Sequence, residues 1–306
     1  MKSFNEVYEK LSNEKFHELE KERKKVKIKA FVIITMMIIP AVIACFSEER
    51  IGILLVWAVM FGGVLYSNND SIFSSSKFIE LFKKNILIPF VEGLDEGLKC
   101  IPYRGVKSEV YLKGDFEYYD EFYSHDLIEG TIDGKYDLEM AEVTSIVVHE
   151  YENSKTSQIE EREEVKFHGI FAHSECAKNI ISTMKIRSDK GKIGILSKYE
   201  KKVELDSQEF EKYFDVYEDN KIVAMQILTA ELMDKMIEFR KTTGIKFEIT
   251  IDQYNIYIRF ATGQMFEPKL FKKTYDYKIF KEYYKIIELV LNIVREINKA
   301  LENTEF

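Results

Sequence analysis

Two apolar stretches near the start of the chain, Ala30–Phe46 and Ile51–Tyr66, stand apart from everything around them. Neither holds a charged residue, Pro40 is the strongest interruption inside either, and only Ser47-Glu48-Glu49-Arg50 separates them. Water penalises exposing that much hydrocarbon, whereas a bilayer core about 30 Å thick absorbs it. The runs of 17 and 16 residues each cover roughly 25 Å as helices. Ile28, Lys29 and Tyr66 can extend them by snorkelling or anchoring at the interface. The pattern predicts a transmembrane helical hairpin over residues 30–66. A hairpin buried in a domain core is the competing reading. A secretory leader fits poorly, because a long charged segment precedes the first run. The string Val42-Ile43-Ala44-Cys45 reads as a chance lipobox match in an aliphatic helix.

Periodicity places the other elements. Phe4, Val7, Tyr8, Leu11, Phe16 and Leu19 recur at helical spacing, predicting one helix over 3–29 that runs into the first apolar run. Phe78, Phe82, Ile86, Phe90, Leu94 and Leu98 fall four apart, predicting an amphipathic connecting helix to about Cys100 with Pro89 as a kink point. It serves either as a stalk or as a membrane-surface helix. Aromatic-rich Gly114–Ser124 reads as a short helix. Strand patterns follow at Leu127–Ile132, Tyr136–Glu150, Val165–His173, Asn179–Ile186 and Lys202–Leu205, punctuated by Gly130, Gly134, Gly169, Gly191 and Gly194. The charge run Glu160–Glu164 reads as a solvated hairpin tip. Phe210–Val216 and Lys221–Leu228 form a strand or helix–strand pair. Thr229 caps a helix over Ala230–Thr242 that Gly244 ends. Lys246–Ile251 and Asn255–Phe260 alternate around Asp252-Gln253-Tyr254 as a β-hairpin. From Tyr275 the chain is helical, with Phe280, Tyr283, Ile287, Val290, Val294, Ile297 and Leu301 as a seam and Ile286, Leu289 and Ile293 as a second stripe. Such a broad face suits covering a sheet, with oligomerisation as the alternative.

The fold class expected is therefore α+β: the membrane hairpin with helical extensions, then a mainly antiparallel β domain with a covering helix and a long C-terminal helix. The segments are 1–29, a basic helix; 30–66, the hairpin; 67–100, the connecting helix; and 101–306, the α+β domain, with a sub-boundary near 190–205.

Charge sets the sidedness. Residues 1–29 carry 9 basic and 6 acidic side chains, while residues 67–306 carry 34 and 44. Lys21, Arg23, Lys24, Lys25, Lys27 and Lys29 crowd the start of the first run, and the loop offers Arg50 against Glu48 and Glu49. The positive-inside rule puts both termini in the cytoplasm of a cell-membrane protein that crosses twice. Membrane lipids are then partners through residues 30–66, and the basic cluster meets anionic headgroups. The acidic remainder argues against nucleic acid. Cys45, Cys100 and Cys176 are odd in number and widely spaced, which suits free thiols in a reducing compartment.

Candidate chemistry is thin. His173-Ser174-Glu175-Cys176 holds half of a zinc-deaminase signature, but no later cysteine completes it. His168 and His173, five apart on an extended segment, point to opposite faces and so cannot share a metal with Cys176. Ser124-His125-Asp126 are consecutive, and a triad needs residues converging from separate elements. Asp115, Asp120, Asp126 and Asp133 lack calcium-loop spacing. Gly191-Lys192-Ile193-Gly194 is too short for a phosphate loop. The sequence assigns no catalytic, cofactor-binding or metal-ligating residue. A cleft in which Asp120, Asp126, Glu142 or His168 converge would revive an enzyme.

Three stretches resemble a family of bacterial membrane proteins, domain of unknown function 3137. They are Tyr119-Asp120 through Asp126, Gly130 and Glu142; Val165-Lys166-Phe167-His168-Gly169-Ile170-Phe171; and Val203 to Tyr217, continuing through Ala224, Leu228, Thr229 and Met233. Together they span roughly 110–265. The resemblance implies a membrane protein with a cytoplasmic α+β domain and LemA-type membrane proteins as neighbours, and it carries over no activity, cofactor or catalytic residue. The functional expectation is a non-enzymatic interaction or regulatory module at the inner face of the membrane, with a small-molecule or lipid sensor as the alternative.

Overall fold

The computed structural model describes residues 1–11, 13–46, 76–152, 159–188, 202–270 and 276–303. The chain divides into two compact units: Met1–Asn5 with Val91–Phe266 and Lys278–Phe306, and Glu6–Phe90 with Glu267–Tyr277.

The second unit is helical. Helices α1 (Phe4–Lys10) and α2 (Asn13–Phe46) replace the single helix predicted over 3–29. The first helix ends at Lys10 and the next begins at Asn13, and asparagine favours helix ends over helix interiors because its side chain competes for backbone partners. Along α2, Phe16, Leu19, Val26, Ala30 and Ile33 form a buried stripe. Arg23 shares that stripe, held by the Glu20 carboxylate and, at 3.0 Å, by the Leu270 carbonyl. Ala30–Phe46 is the second half of α2, and the helix continues through position 40. Residues 47–66, which hold the predicted loop and second crossing, lie outside the described residues. Among the described residues no helix is long and apolar enough to cross a membrane. The predicted hairpin thus has no structural support.

The connecting helix is real but shorter than predicted. Helix α3 (Ser76–Phe82) passes through a π turn, Lys83–Leu87, into α4 (Ile88–Leu94). Pro89 is the physical reason for the π turn. It has no N–H for the Asn85 carbonyl and its ring crowds that carbonyl, so the preceding turn widens, with Ile88 N–H bonding Lys83 O. The helix then stops, and Leu98–Cys100, predicted helical, belong to strand β1 (Leu98–Ile101). Asp95 turns the chain: its carbonyl accepts from Leu98 N–H at 3.1 Å and its carboxylate from Gly97 N–H at 3.0 Å.

The first unit is built on one antiparallel sheet of β1, β2 (Glu121–Ile132), β3 (Tyr136–Glu152), β4 (Ile159–Arg187), β5 (Lys202–Val203), β6 (Asp215–Tyr217) and β7 (Phe247–Phe260). Its order is β1-β2-β3-β4-β6-β5, with β7 also paired to β4. The predicted strands at Val165–His173 and Asn179–Ile186 are two arms of β4. The predicted hairpin at 246–260 is present, because β7 folds back on itself. Ala261 N–H reaches Lys246 O at 2.9 Å, and the rings of Phe247 and Phe260 stack at 5.3 Å. β4 wraps the outside of this fold. Glu175 to Met184 advances nine residues while its partner runs only four, from Asn255 to Ile251, hence the register shifts there. The charge run Glu160–Glu164, predicted as a solvated hairpin tip, is largely exposed but lies within β4, paired with Val147–Tyr151.

Helix α5 (Ser108–Lys113) lies upstream of the helix predicted at Gly114–Ser124. Three aromatics of that segment join the core instead, Phe116, Tyr119 and Phe122 packing around Tyr111 together with Phe167 and Phe171 of β4, while Tyr118 and Tyr123 are exposed. Helix α6 (Lys221–Ile227) resolves the strand-or-helix alternative, capped by Asn220 on Ile222 N–H. Helix α7 (Ala230–Thr243) has the predicted Thr229 cap, on Leu232 N–H at 3.2 Å, and Gly244 ends it at φ 71°. Helix α8 (Tyr277–Glu302) buries both predicted stripes, from Phe280 to Leu301, and packs within the chain. Its Asn298 is fully buried against the β4 bend, accepting from Ala177 N–H.

Candidate functional site

Period-two alternation sends Glu139 and Glu142 of β3, three apart, to opposite faces of the sheet. Each organises a different polar group.

Glu142 is fully buried. Its Oε2 accepts from the backbone N–H groups of Met265 and Phe266, both at 2.9 Å. Its Oε1 lies 3.2 Å from His168 Nε2 and 3.9 Å from His125 Nε2. His125 Nδ1 in turn meets Asp126 Oδ2 at 2.8 Å, on a bulge where Asp126 adopts φ 58°. Tyr283 of α8 closes the group by donating to Met265 O. Burial, then the neighbouring carboxylate of Glu142, pushes the Tyr283 phenol well above its ordinary range. The arrangement fastens the chain leaving β7 to the middle of the sheet. Gly169 permits the close approach, since a Cβ there would stand 2.0 Å from Phe260 O.

On the opposite face a row of polar side chains crosses the sheet in register: Lys99, Glu129, Glu139 and His173, ending at Tyr257. His173 is the best-held member. Nδ1 lies 3.0 Å from Glu139 Oε1, Nε2 lies 2.9 Å from Asn255 Oδ1, and the ring stacks on Tyr257 at 5.1 Å. With oxygen acceptors on both sides, both ring nitrogens donate only in the imidazolium. Burial works to lower the His173 pKa, but the hydrogen bonds to Glu139 and Asn255 outweigh it, and the net shift is upward. Burial holds the Tyr257 phenol at about 12, so it stays neutral.

A groove of about 560 Å³ opens beside this row. Glu129, Asp137, Glu139 and Glu175 face it, against Lys99 and His173. At one end Gly97 and Gly130 bring two backbones together, and a Cβ on Gly130 would stand 1.9 Å from Gly97 O. Such a lining favours polar or cationic groups over apolar ones.

The remaining residues weighed from sequence are dispersed. Ser124 spends its hydroxyl on backbone, accepting from Val106 N–H and donating to Glu142 O. Asp115 pairs with Lys185 at 2.7 Å, Asp120 accepts from Tyr118 O–H and Val148 N–H, and Asp133 holds Arg295 through both oxygens at 2.8 Å. The Tyr118 bond, then the Val148 bond, keeps Asp120 below the usual carboxylate range. Of the four residues whose convergence would revive an enzyme, Asp126, Glu142 and His168 do gather, and Asp120 does not. His168 and His173 share no partner. Gly191–Gly194 lie outside the described residues. Among the described residues, no group of three or more His, Cys, Asp or Glu is arranged to hold a metal ion. Sequence reasoning passed over Asn255 and the pairing of Glu139 with His173. The only trace was a run of polar residues at alternate positions on neighbouring strands.

Residues 165–299 match the family model described as Protein of unknown function (DUF3137). The resemblance read from the sequence holds. The DUF3137 match contains two of the three stretches that carried it, from β4 and from Val203 onward. The stretch from Tyr119 to Glu142 falls outside, so His168, His173 and Asn255 lie within the DUF3137 segment while Glu139 and Glu142 precede it. No curated protein matches this chain. A crystal structure of the mycobacterial trehalose monomycolate transport factor A, TtfA, is similar at 10% identity with a TM-score of 0.33, covering 66% of this chain and 86% of that one. At that score nothing about this chain follows from the likeness.

Proposed function

We propose that this chain is a membrane-tethered binding module at the inner face of the cell membrane, acting through engagement of a partner and not through catalysis. One observation carries the reading. From Ile28 to Ile43, α2 leaves nine large apolar side chains exposed: Ile28, Phe31, Val32, Ile34, Met36, Ile38, Ile39, Val42 and Ile43. Each such side chain moved out of water contributes about 1.5–3 kcal/mol, and a lipid interior receives them all without a protein partner. The apolar run at 51–66 supplies a second segment of the same character. The lysines ahead of the first run favour a cytoplasmic location for both termini. The test is alkaline extraction of membranes followed by ultracentrifugation, with a tag on the last residue probed in intact cells. The chain is expected in the pellet, with the tag shielded. Recovery as a detergent-free monomer in the supernatant refutes the tether, and a tag reached from outside refutes the sidedness.

A second reading, a sensor for a small polar molecule, is favoured by the groove beside His173. A metabolite that raises the melting temperature of the parent but not of a Glu139→Gln variant supports it, and a flat response across cationic metabolites counts against it.

A further inference from the structure

The basic residues ahead of the exposed apolar stretch are not scattered around α2. Lys21, Lys24, Lys25, Lys27 and Lys29 are all exposed. At about 100° per residue they fan over the side of the helix opposite the buried stripe of Leu19, Arg23, Val26 and Ala30. The exposed apolar residues from Phe31 to Val42 continue along that same side. The surface therefore changes in one step from a lysine collar to bare hydrocarbon. The collar is about 12 Å deep and the apolar stretch beyond it about 18 Å, the latter close to one leaflet's share of a hydrocarbon core about 30 Å thick. A second element adds to the collar. Lys77 on α3 lies near Glu22, whose carboxyl is held low by its bond to Lys25 at 2.6 Å and by the charges of Lys25, Lys77 and Lys21. The acids at this level are largely spent, Glu20 on Arg23 and Glu22 on Lys25, while Glu18 faces solvent.

We propose that this collar docks on anionic phospholipid, so that the chain discriminates an acidic leaflet from a neutral one. The proposal rests on the tether reading and names its partner. Cationic side chains on the rim of an apolar surface complement lipid phosphates and acidic headgroups, and the juxtaposition on one side of a helix allows both to be engaged together.

The experiment uses the full chain, purified in detergent and diluted into vesicles of phosphatidylcholine alone or with about a third phosphatidylglycerol. Flotation is read for the parent and for a Lys24→Glu, Lys27→Glu, Lys29→Glu variant whose helicity is checked by circular dichroism. The parent is expected to float more with the acidic vesicles, by about five-fold for each lysine that reaches the surface at low salt. High salt and the charge reversal both erase the difference, leaving flotation with neutral vesicles unchanged. Equal flotation of the parent with both vesicle types overturns the collar and leaves the tether standing. No flotation with either overturns both.

Discussion

Replacing Glu142 with alanine removes the acceptor of two backbone N–H groups at once. Met265 and Phe266 each donate to Oε2 at 2.9 Å, from a position with no exposure to solvent. A buried donor left without a partner costs about 1–3 kcal/mol, so the pair costs about 2–6 kcal/mol. Loss of the contact with His168 at 3.2 Å adds to this, while His125 and His168, each about one-third exposed, give water a route in and temper it. A central value of about 4 kcal/mol corresponds to a fall of roughly 8–16 °C in melting temperature for a domain of this size. Glu142→Gln keeps an oxygen for both donors and is expected to cost only about 1–2 kcal/mol. The assay is calorimetric melting of both variants, with hydrogen exchange at the Met265 and Phe266 amides. If Glu142→Ala melts within about 2 °C of the parent and those amides stay protected, the carboxylate does not fasten the β7–α8 segment.

Three further outcomes are expected. His173 has a raised pKa in the fold, so the stability it adds is fully present below its unfolded value of about 6.5. That stability is lost as pH rises through the folded value, and urea titrations across neutral pH should show the decline in the parent and not in His173→Gln. Gly169→Ala places a Cβ 2.0 Å from the Phe260 carbonyl and should cost about 3 kcal/mol. Gly134→Ala, in open space at φ 68°, should cost about 1 kcal/mol, and chemical denaturation of both separates collision from backbone strain. Cys100 and Cys176 are buried thiols, and burial holds Cys176 at about 12. Peptide mapping after alkylation should find both modified only once the chain is denatured.

What could be read from the sequence was local. Thr229 and Gly244 act within four residues of the helix they bound, and the alternation around Asp252–Tyr254 announces its own reversal. The double stripe of α8 needs only a face to cover. What could not be read depends on partners far along the chain. Residues 114–124 carry helix-like aromatic spacing, yet that spacing is set by packing on Phe167 and Phe171, about fifty residues away. Leu98–Cys100 continue the four-residue period of the preceding helix, but edge pairing with β2 and the Asp95 turn override it. The polar sites are less legible still. Glu139 meets His173 across 34 positions, and Glu142 meets Met265 across 123. Register fixes both, and register is a property of the assembled sheet.

The same alternation separates what holds the fold from what is free to bind. Three positions along β3, from Glu139 to Glu142, move a carboxylate from an open groove to a closed interior. His173 and His168 take the matching sides on β4. On the closed side each oxygen of Glu142 already has a partner within 3.2 Å, from His168 and from backbone, and Asp126 is engaged by His125. A carboxylate so engaged is a fastening, because any reaction routed through it must first release the segment it holds. On the open side, Glu139 engages His173 through Oε1, yet remains about one-third exposed beside three further acids. Binding there requires no rearrangement of the core. The sheet therefore keeps one face open as a groove while the other is closed by its own hydrogen bonds.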